Sequence, residues 1–73
     1  MTTAWHASRE RVLSRRLSSL LIGDVCDFEC VTVKRVERNE YVVQSRKRQW
    51  RFVGADAMNY AYDRVWWLVN RSE

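Results

Sequence analysis

The sequence predicts a small α+β domain in which one helix, a three-stranded antiparallel meander and a second helix follow each other. Apolar residues recur with a helical period in the first and last thirds of the chain. The middle third is rich in Val, Phe and Tyr and alternates with the period of a strand. The chain has 73 residues, no Pro and only two Gly, Gly23 and Gly54, which separate these segments. A chain of this length buries about 60% of its unfolded surface, so we expect one domain.

We expect residues 1–7 to form a flexible N-terminal arm and residues 8–71 to form the domain. Ser8 is a suitable N-cap for a first helix that ends near Leu21, and Gly23 stands where a left-handed C-cap is usual. The face of this helix that lies opposite its apolar residues Leu13, Leu17 and Leu20 is basic. Such a face is typical of a solvated surface, and it also fits a membrane surface or nucleic acid.

The central segment predicts three antiparallel strands. The first, residues 24–38, alternates apolar and polar side chains as far as Cys30, where the phase shifts. A bulge, a strong twist or burial of one end on both faces would each explain the shift. The following elements are a turn at 37–40, a strand at 41–45, a turn at 46–48 and a strand at 49–53. We expect both helices to cover the face that carries Phe28, Val43, Trp50 and Phe52.

Residues 54–69 predict a closing helix. An arc of about 120° on the helical wheel contains its core stripe: Met58, Ala61, Tyr62, Val65, Leu68 and Val69. Outside the stripe lie four residues that we predict to bind a partner, because Tyr, Trp and Arg dominate protein interfaces: Tyr60, Arg64, Trp67 and Arg71. The alternative is that Trp67 folds over a sheet edge or packs against Trp5.

The basic charge is concentrated in one hairpin. Lys and Arg number 13 against nine acidic residues, which gives a net charge of +4. Residues 41–53 contain no acid and four basic residues, Arg46, Lys47, Arg48 and Arg51. These four are candidates for contact with RNA or with an acidic protein surface. The alternative is an exposed turn that charge keeps soluble, with Trp50 in the core.

The residues needed for catalysis or for metal binding are missing, so we expect neither an enzyme nor a cofactor. His6 is the single histidine and falls in the predicted arm. Cys26 and Cys30 would lie about 13 Å apart along a strand, too far for a disulfide, so we predict two free thiols in a reducing cytoplasm. The sequence shows neither a signal peptide nor 18 consecutive apolar residues, and we therefore expect a cytoplasmic protein without membrane contact.

The segment KRQWRFV at residues 47–53, leading into YAYDRVWW at residues 60–67 of a 73-residue chain, resembles very short bacteriophage proteins that bind host RNA polymerase. The resemblance implies a transcription inhibitor and antiterminator. Such a protein binds near the RNA exit region of the polymerase, blocks promoter recognition and lets elongation pass terminators. We expect it to be a monomer when free and to act in the host bacterial cytoplasm, in possible contact with nascent RNA.

Two other functions are compatible with the sequence. The basic first helix and the basic hairpin could form one stripe that binds nucleic acid directly, although no known reading motif is present. An inhibitor of another host complex, such as a CRISPR effector, fits the same features. Salt separates phosphate-driven binding, which weakens steeply between about 50 and 200 mM, from an interface anchored by aromatic residues.

Overall fold

The computed structural model describes the backbone of residues 2–71 and the side chains of residues 10–70. It is an α+β domain with an antiparallel sheet and two helices, which confirms the predicted class. The elements are α1 (Thr2–Ser18), β1 (Val25–Phe28), β2 (Val31–Glu37), β3 (Glu40–Gln44), β4 (Gln49–Val53) and α2 (Ala57–Arg71). The sheet order is β1-β2-β3-β4, so the sheet has four strands and the prediction of three was wrong.

The additional strand comes from a hairpin inside residues 24–38. β1 ends at Phe28, which pairs directly with Val31 of β2, so only Glu29 and Cys30 form the turn. Glu29 adopts a φ of 59°, the left-handed conformation that Gly or Asn usually provides at such a turn. The shift of phase at Cys30 is therefore a reversal of the chain, and none of the three explanations offered for it was right. The sequence signal was missing because neither Glu nor Cys is typical of a two-residue turn.

The bounds of α1 also differ from the prediction. The helix begins at Thr2, so residues 2–7, which were predicted as a flexible arm before a cap at Ser8, belong to α1. No Gly or Pro occurs before Gly23, so nothing in the local sequence interrupts the helix at its start. α1 ends at Ser18, and Gly23 lies in the loop behind it with a φ of 93°.

Both helices cover the sheet face that carries Phe28, Val43, Trp50 and Phe52, as predicted. Directly opposed residues of neighbouring strands share a face, and the pairs Val33–Val43, Val43–Trp50 and Tyr41–Phe52 place this face in the core. α2 contacts β2, β3 and β4, whereas α1 contacts β1 and α2. The buried core consists of Leu13, Leu17, Leu20, Phe28, Val31, Val33, Tyr41, Val43, Ala57, Ala61, Val65 and Val69.

The stripe that α2 buries is rotated slightly from the predicted one. Its fully buried residues follow a spacing of four: Ala57, Ala61, Val65 and Val69. Tyr62 and Leu68 are half-buried beside this row, and Met58, predicted as core, is 37% exposed. The small side chains of Ala57 and Ala61 let the first turns of α2 lie close to the sheet, which leaves the longer Met58 at the rim.

Arg35 of β2 joins the end of α1 to the sheet. Its Nη1 donates to the carbonyl of Leu20 at 2.7 Å, and its Nη2 donates to the carbonyl of Arg38 at 2.8 Å. The same guanidinium lies over the ring of Tyr41, with Cζ 5.5 Å from the centroid. The backbone of Arg35 also accepts from the N–H of Gly23 at 2.7 Å. The loop after α1 is therefore held by both the backbone and the side chain of one strand residue.

We predict that Leu17→Ala lowers the free energy of unfolding by about 2–5 kcal/mol, because Leu17 is fully buried in the core and its truncation leaves a cavity. Val12→Ala on the same helix is the matched control. Val12 is 44% exposed, and we expect its truncation to cost well under 1 kcal/mol. Urea unfolding followed by circular dichroism measures both values. Equal losses for the two variants would show that α1 buries a different face.

Candidate partner-binding surface

Five residues from β4 and α2 form one group at the edge of the sheet, which we call the aromatic cluster. β4 contributes Trp50 and Phe52, which are two residues apart and so point to the same face. α2 contributes Tyr60, Arg64 and Trp67, whose spacing of four and three places them along one side of the helix. The cluster exists because α2 packs over β3 and β4, at one side of the sheet.

Arg64 lies between two indole rings. Its Cζ is 5.0 Å from the ring centroid of Trp50 and 4.8 Å from that of Trp67. Both distances are within the range of about 6 Å over which a guanidinium interacts favourably with an aromatic face. The rings of Phe52 and Tyr60 are 6.2 Å apart and inclined by 31°. One cation therefore connects the helix side of the cluster to its strand side.

The outer part of the aromatic cluster faces solvent. Tyr60 is 55% exposed and Trp67 is 43% exposed, whereas Trp50, Phe52 and Arg64 are half-buried. Half-buried residues thus form the floor, and the two most exposed residues stand at the surface. Exposed Tyr and Trp held beside a buried floor are the usual composition of a strong protein contact.

Three of the four residues predicted to bind a partner are brought together in this cluster: Tyr60, Arg64 and Trp67. The side chain of Arg71 lies outside the described residues, as does that of Trp5, the alternative neighbour proposed for Trp67. Sequence reasoning assigned Trp50 and Phe52 to the core and so missed their part in the surface. The available signal was their position on the last strand of a meander, which is an edge strand and can be covered by a helix only in part.

The predicted basic group divides into two parts. Arg46, Lys47 and Arg48 are exposed and form the tip of the β3–β4 hairpin, which we call the basic tip. The turn is closed by Ser45, whose N–H donates to the carbonyl of Arg48 at 2.8 Å. Arg51 instead lies on the open face of the sheet, where its Nε is 2.9 Å from Oε2 of Glu40. This ion pair, between an exposed arginine and a half-buried glutamate, neutralises part of the local charge.

The basic face of α1 lies near β1, the edge strand opposite to β4 in the sheet. Arg11 and Arg15 are exposed. Arg16 donates from Nη1 to the carbonyl of Asp27 at 2.9 Å, and its Cζ lies 5.9 Å from the ring centroid of Phe28. α1 contacts β1, whereas the basic tip ends the β3–β4 hairpin, so the two basic regions are associated with opposite edge strands of the sheet.

A shallow open cleft runs between α1 and α2. It is lined by Glu10, Arg11, Ser14, Arg15, Ser18 and Tyr62. The pKa of the Tyr62 phenol is raised, mainly by burial and further by the carboxylates of Glu10 and Asp63. The phenol therefore stays protonated at neutral pH, and the cleft is lined by polar side chains.

The described part of the chain contains no group of three or more His, Cys, Asp or Glu residues that could hold a metal ion. Cys26 and Cys30 are free thiols. Burial raises the pKa of the Cys26 thiol, an effect that nearby Arg16 opposes and Asp27 reinforces. Among the described residues, no helix is long and apolar enough to cross a membrane.

Comparisons of the chain with protein families, with curated proteins and with solved structures find no match. The structure alone therefore describes the protein, as a small α+β domain with an exposed aromatic cluster and a neighbouring basic tip.

We predict that Arg64→Ala lowers the free energy of unfolding by about 1–2 kcal/mol, because it removes cation–π contacts with two rings, each worth about 0.5–1 kcal/mol. Arg64→Lys retains the charge but loses the planar group, and we expect a smaller loss. Chemical unfolding gives the energies. In NMR spectra, the indole N–H signals of Trp50 and Trp67 should shift in both variants, and unchanged signals would contradict the arrangement.

Alkylation with iodoacetamide should distinguish the two thiols. Cys30 is exposed in the β1–β2 turn, whereas Cys26 is half-buried and its pKa is raised. Since the thiolate is the reactive form, we expect Cys30 to react faster at about pH 8 in the folded protein. Peptide mass mapping over time measures both rates, and unfolding in urea should remove the difference. Faster labelling of Cys26 in the folded protein would contradict the position of β1.

Proposed function

We propose that this protein is a non-enzymatic regulator of the phage type that binds bacterial RNA polymerase, inhibits initiation and promotes antitermination. The observation that carries the proposal is the exposed aromatic cluster, in which Arg64 contacts the rings of both Trp67 and Trp50, and Tyr60 lies at the surface. The geometry supports a protein-binding surface. The choice of RNA polymerase as the partner comes from the resemblance of residues 47–53 and 60–67 to phage inhibitors and antiterminators.

The rigidity of the aromatic cluster supports strong binding. Trp67 stacks on Arg64, and Tyr60 lies beside Phe52, so these rings are already oriented in the free protein. A partner then loses little side-chain entropy when it covers them. Aromatic residues that are exposed, pre-oriented and placed next to a buried floor concentrate binding energy in a small area.

The basic tip supports the proposed role in antitermination. Trp50 is separated from Arg48 by one residue, so the tip projects from the same edge that carries the aromatic cluster. A polymerase surface held by the cluster would bring the tip close to nascent RNA or to an acidic part of the enzyme. There the three cations would act by position and charge, hindering the growth of a terminator hairpin without any chemical step.

Direct nucleic-acid binding is the second candidate, and it is favoured by the exposed cations of α1 and of the basic tip: Arg11, Arg15, Arg46, Lys47 and Arg48. Inhibition of another host complex, such as a CRISPR effector, would use the same aromatic cluster. The three functions predict different captured partners and different dependence on salt.

The test is capture of the tagged protein's partners from nuclease-treated bacterial lysate, washed at about 300 mM salt, where phosphate contacts are largely lost. We expect the polymerase core subunits to be retained. Trp67→Ala and Tyr60→Ala should each weaken binding to purified polymerase at least about tenfold, as is usual for central aromatic residues. Ile22→Ala is the control, since Ile22 is an exposed apolar residue outside the cluster.

The triple variant Arg46→Glu, Lys47→Glu, Arg48→Glu tests the basic tip. We expect it to restore termination in a purified transcription assay and to weaken polymerase binding less than Trp67→Ala or Tyr60→Ala does, because the charge of the tip is reversed while the aromatic cluster is intact. The proposal fails if the Tyr60, Trp67 and triple variants all fold and leave both binding and termination unchanged. Recovery of nucleic acid alone, at low salt only, would favour direct nucleic-acid binding.

A further inference from the structure

The outer side of β4 is an open edge of the sheet. In the order β1-β2-β3-β4, β4 pairs with β3 alone, and its five residues pair in continuous register without a bulge. A straight edge strand presents backbone donors and acceptors to which another extended chain can pair.

The hydrogen bonds at the two ends of the β3–β4 hairpin fix which residues of β4 point outward. The N–H of Ser45 donates to Arg48 at 2.8 Å, and the N–H of Gly54 donates to Asn39 at 2.9 Å. Because bonded and non-bonded pairs alternate in an antiparallel ladder, the residues that face β3 are Arg48, Trp50, Phe52 and Gly54. The backbone groups of Gln49, Arg51 and Val53 therefore point away from the sheet. These three residues are exposed and offer six donors and acceptors in a regular row.

The other edge of the sheet, β1, is partly occupied by α1. The tight pairing of Phe28 with Val31 directs the carbonyl of Asp27 outward from β1 by the same alternation. That carbonyl accepts from Nη1 of Arg16 at 2.9 Å, so an arginine of α1 occupies part of this edge. None of the hydrogen bonds between described residues fills the corresponding positions of β4. The two edges differ, because Arg16 occupies an outward carbonyl of β1 whereas none of the described residues occupies the outward groups of β4.

The surroundings of β4 specify what chain fits there. Residues 40–53 carry four basic groups and one acid, Glu40, and the difference is a net charge of +3. On the core side of the edge, Trp50 and Phe52 alternate with the outward residues and form the floor of the aromatic cluster. A strand added here would place alternate side chains against these rings and the others beside Arg51 and the basic tip.

We propose that the edge of β4 receives an extended acidic segment of the protein partner as a fifth strand, with apolar side chains on the aromatic cluster and carboxylates on the opposite face. The proposal deepens the proposed function and rests on the aromatic cluster being a protein-binding surface. It identifies the recognised feature as a backbone of alternating apolar and acidic sequence. Main-chain bonds supply the attachment, and charge selects the sequence.

The test uses the isotopically labelled full chain and synthetic peptides of about seven residues, within the usual length of a strand. The probe alternates Glu with Val, and a Lys-Val peptide controls for charge. We expect the Glu-Val peptide to slow amide hydrogen exchange at Gln49, Arg51 and Val53 and the Lys-Val peptide to have no effect. Replacing Arg46, Lys47 and Arg48 by Gln should weaken binding, whereas replacing Arg11 and Arg15 on α1 by Gln should not.

Two N-methylated twins of the Glu-Val peptide distinguish strand pairing from simple charge attraction. One is methylated on two internal Glu amides and the other on two internal Val amides, so their charges are equal. In antiparallel pairing the Glu amides bond to β4, and in parallel pairing the Val amides do. One twin should therefore lose affinity about tenfold, the value of two lost hydrogen bonds, while the other changes less than about twofold.

Equal affinities of the two twins, or failure of the Glu-Val peptide to slow exchange at the three outward amides, would overturn strand addition. Polymerase capture by the same protein is measured independently. If capture succeeds while the peptide test fails, the edge inference alone is wrong. If the peptide test succeeds while polymerase is not captured, the edge is a binding site and the proposed partner is wrong.

Discussion

The whole structure depends on one sheet face serving as the support for both helices. The buried core lies between that face and the helices, and Val33 and Val43 of the sheet and Leu17 and Val65 of the helices are among its members. Two helices side by side do not fully cover a four-stranded sheet, so the margin beyond β3 is only half-covered. The aromatic cluster occupies that margin. The candidate binding surface is therefore a direct consequence of how a domain of this size makes its core.

Three arginine residues add contacts between the elements beyond those of the apolar core. Arg16, Arg35 and Arg64 each place a guanidinium over an aromatic ring, and the first two also donate to backbone carbonyls. Together they attach both helices and the loop after α1 to the sheet. The surplus of basic residues in the composition is thus partly structural, and a simple count of charges overstates how much basic surface is available to nucleic acid.

Sequence reasoning identified the fold class, the covered sheet face and the association of Tyr60, Arg64 and Trp67, because helical and strand periods report burial directly. It failed where local chemistry is atypical. The Glu29–Cys30 turn contains no Gly or Asn, so two strands were read as one. Sequence reasoning also could not predict the partners of Arg64. The approach of Trp50 to α2 depends on how the helix packs across the sheet, which no local sequence pattern encodes.

The meander has a consequence for how the chain reaches its native state. Each strand pairs with the next one along the sequence, so every step of sheet formation closes only a short loop. Contacts between α1 and α2, by contrast, join segments from opposite ends of the domain. Local hairpins with short closures are features of rapid folding, and we expect the contacts between α1 and α2, which have the largest sequence separation, to form last. Trp50 and Phe52 are covered by α2, which follows β4 directly along the chain, so the contacts of the aromatic cluster close only a short loop and do not depend on the packing of α1.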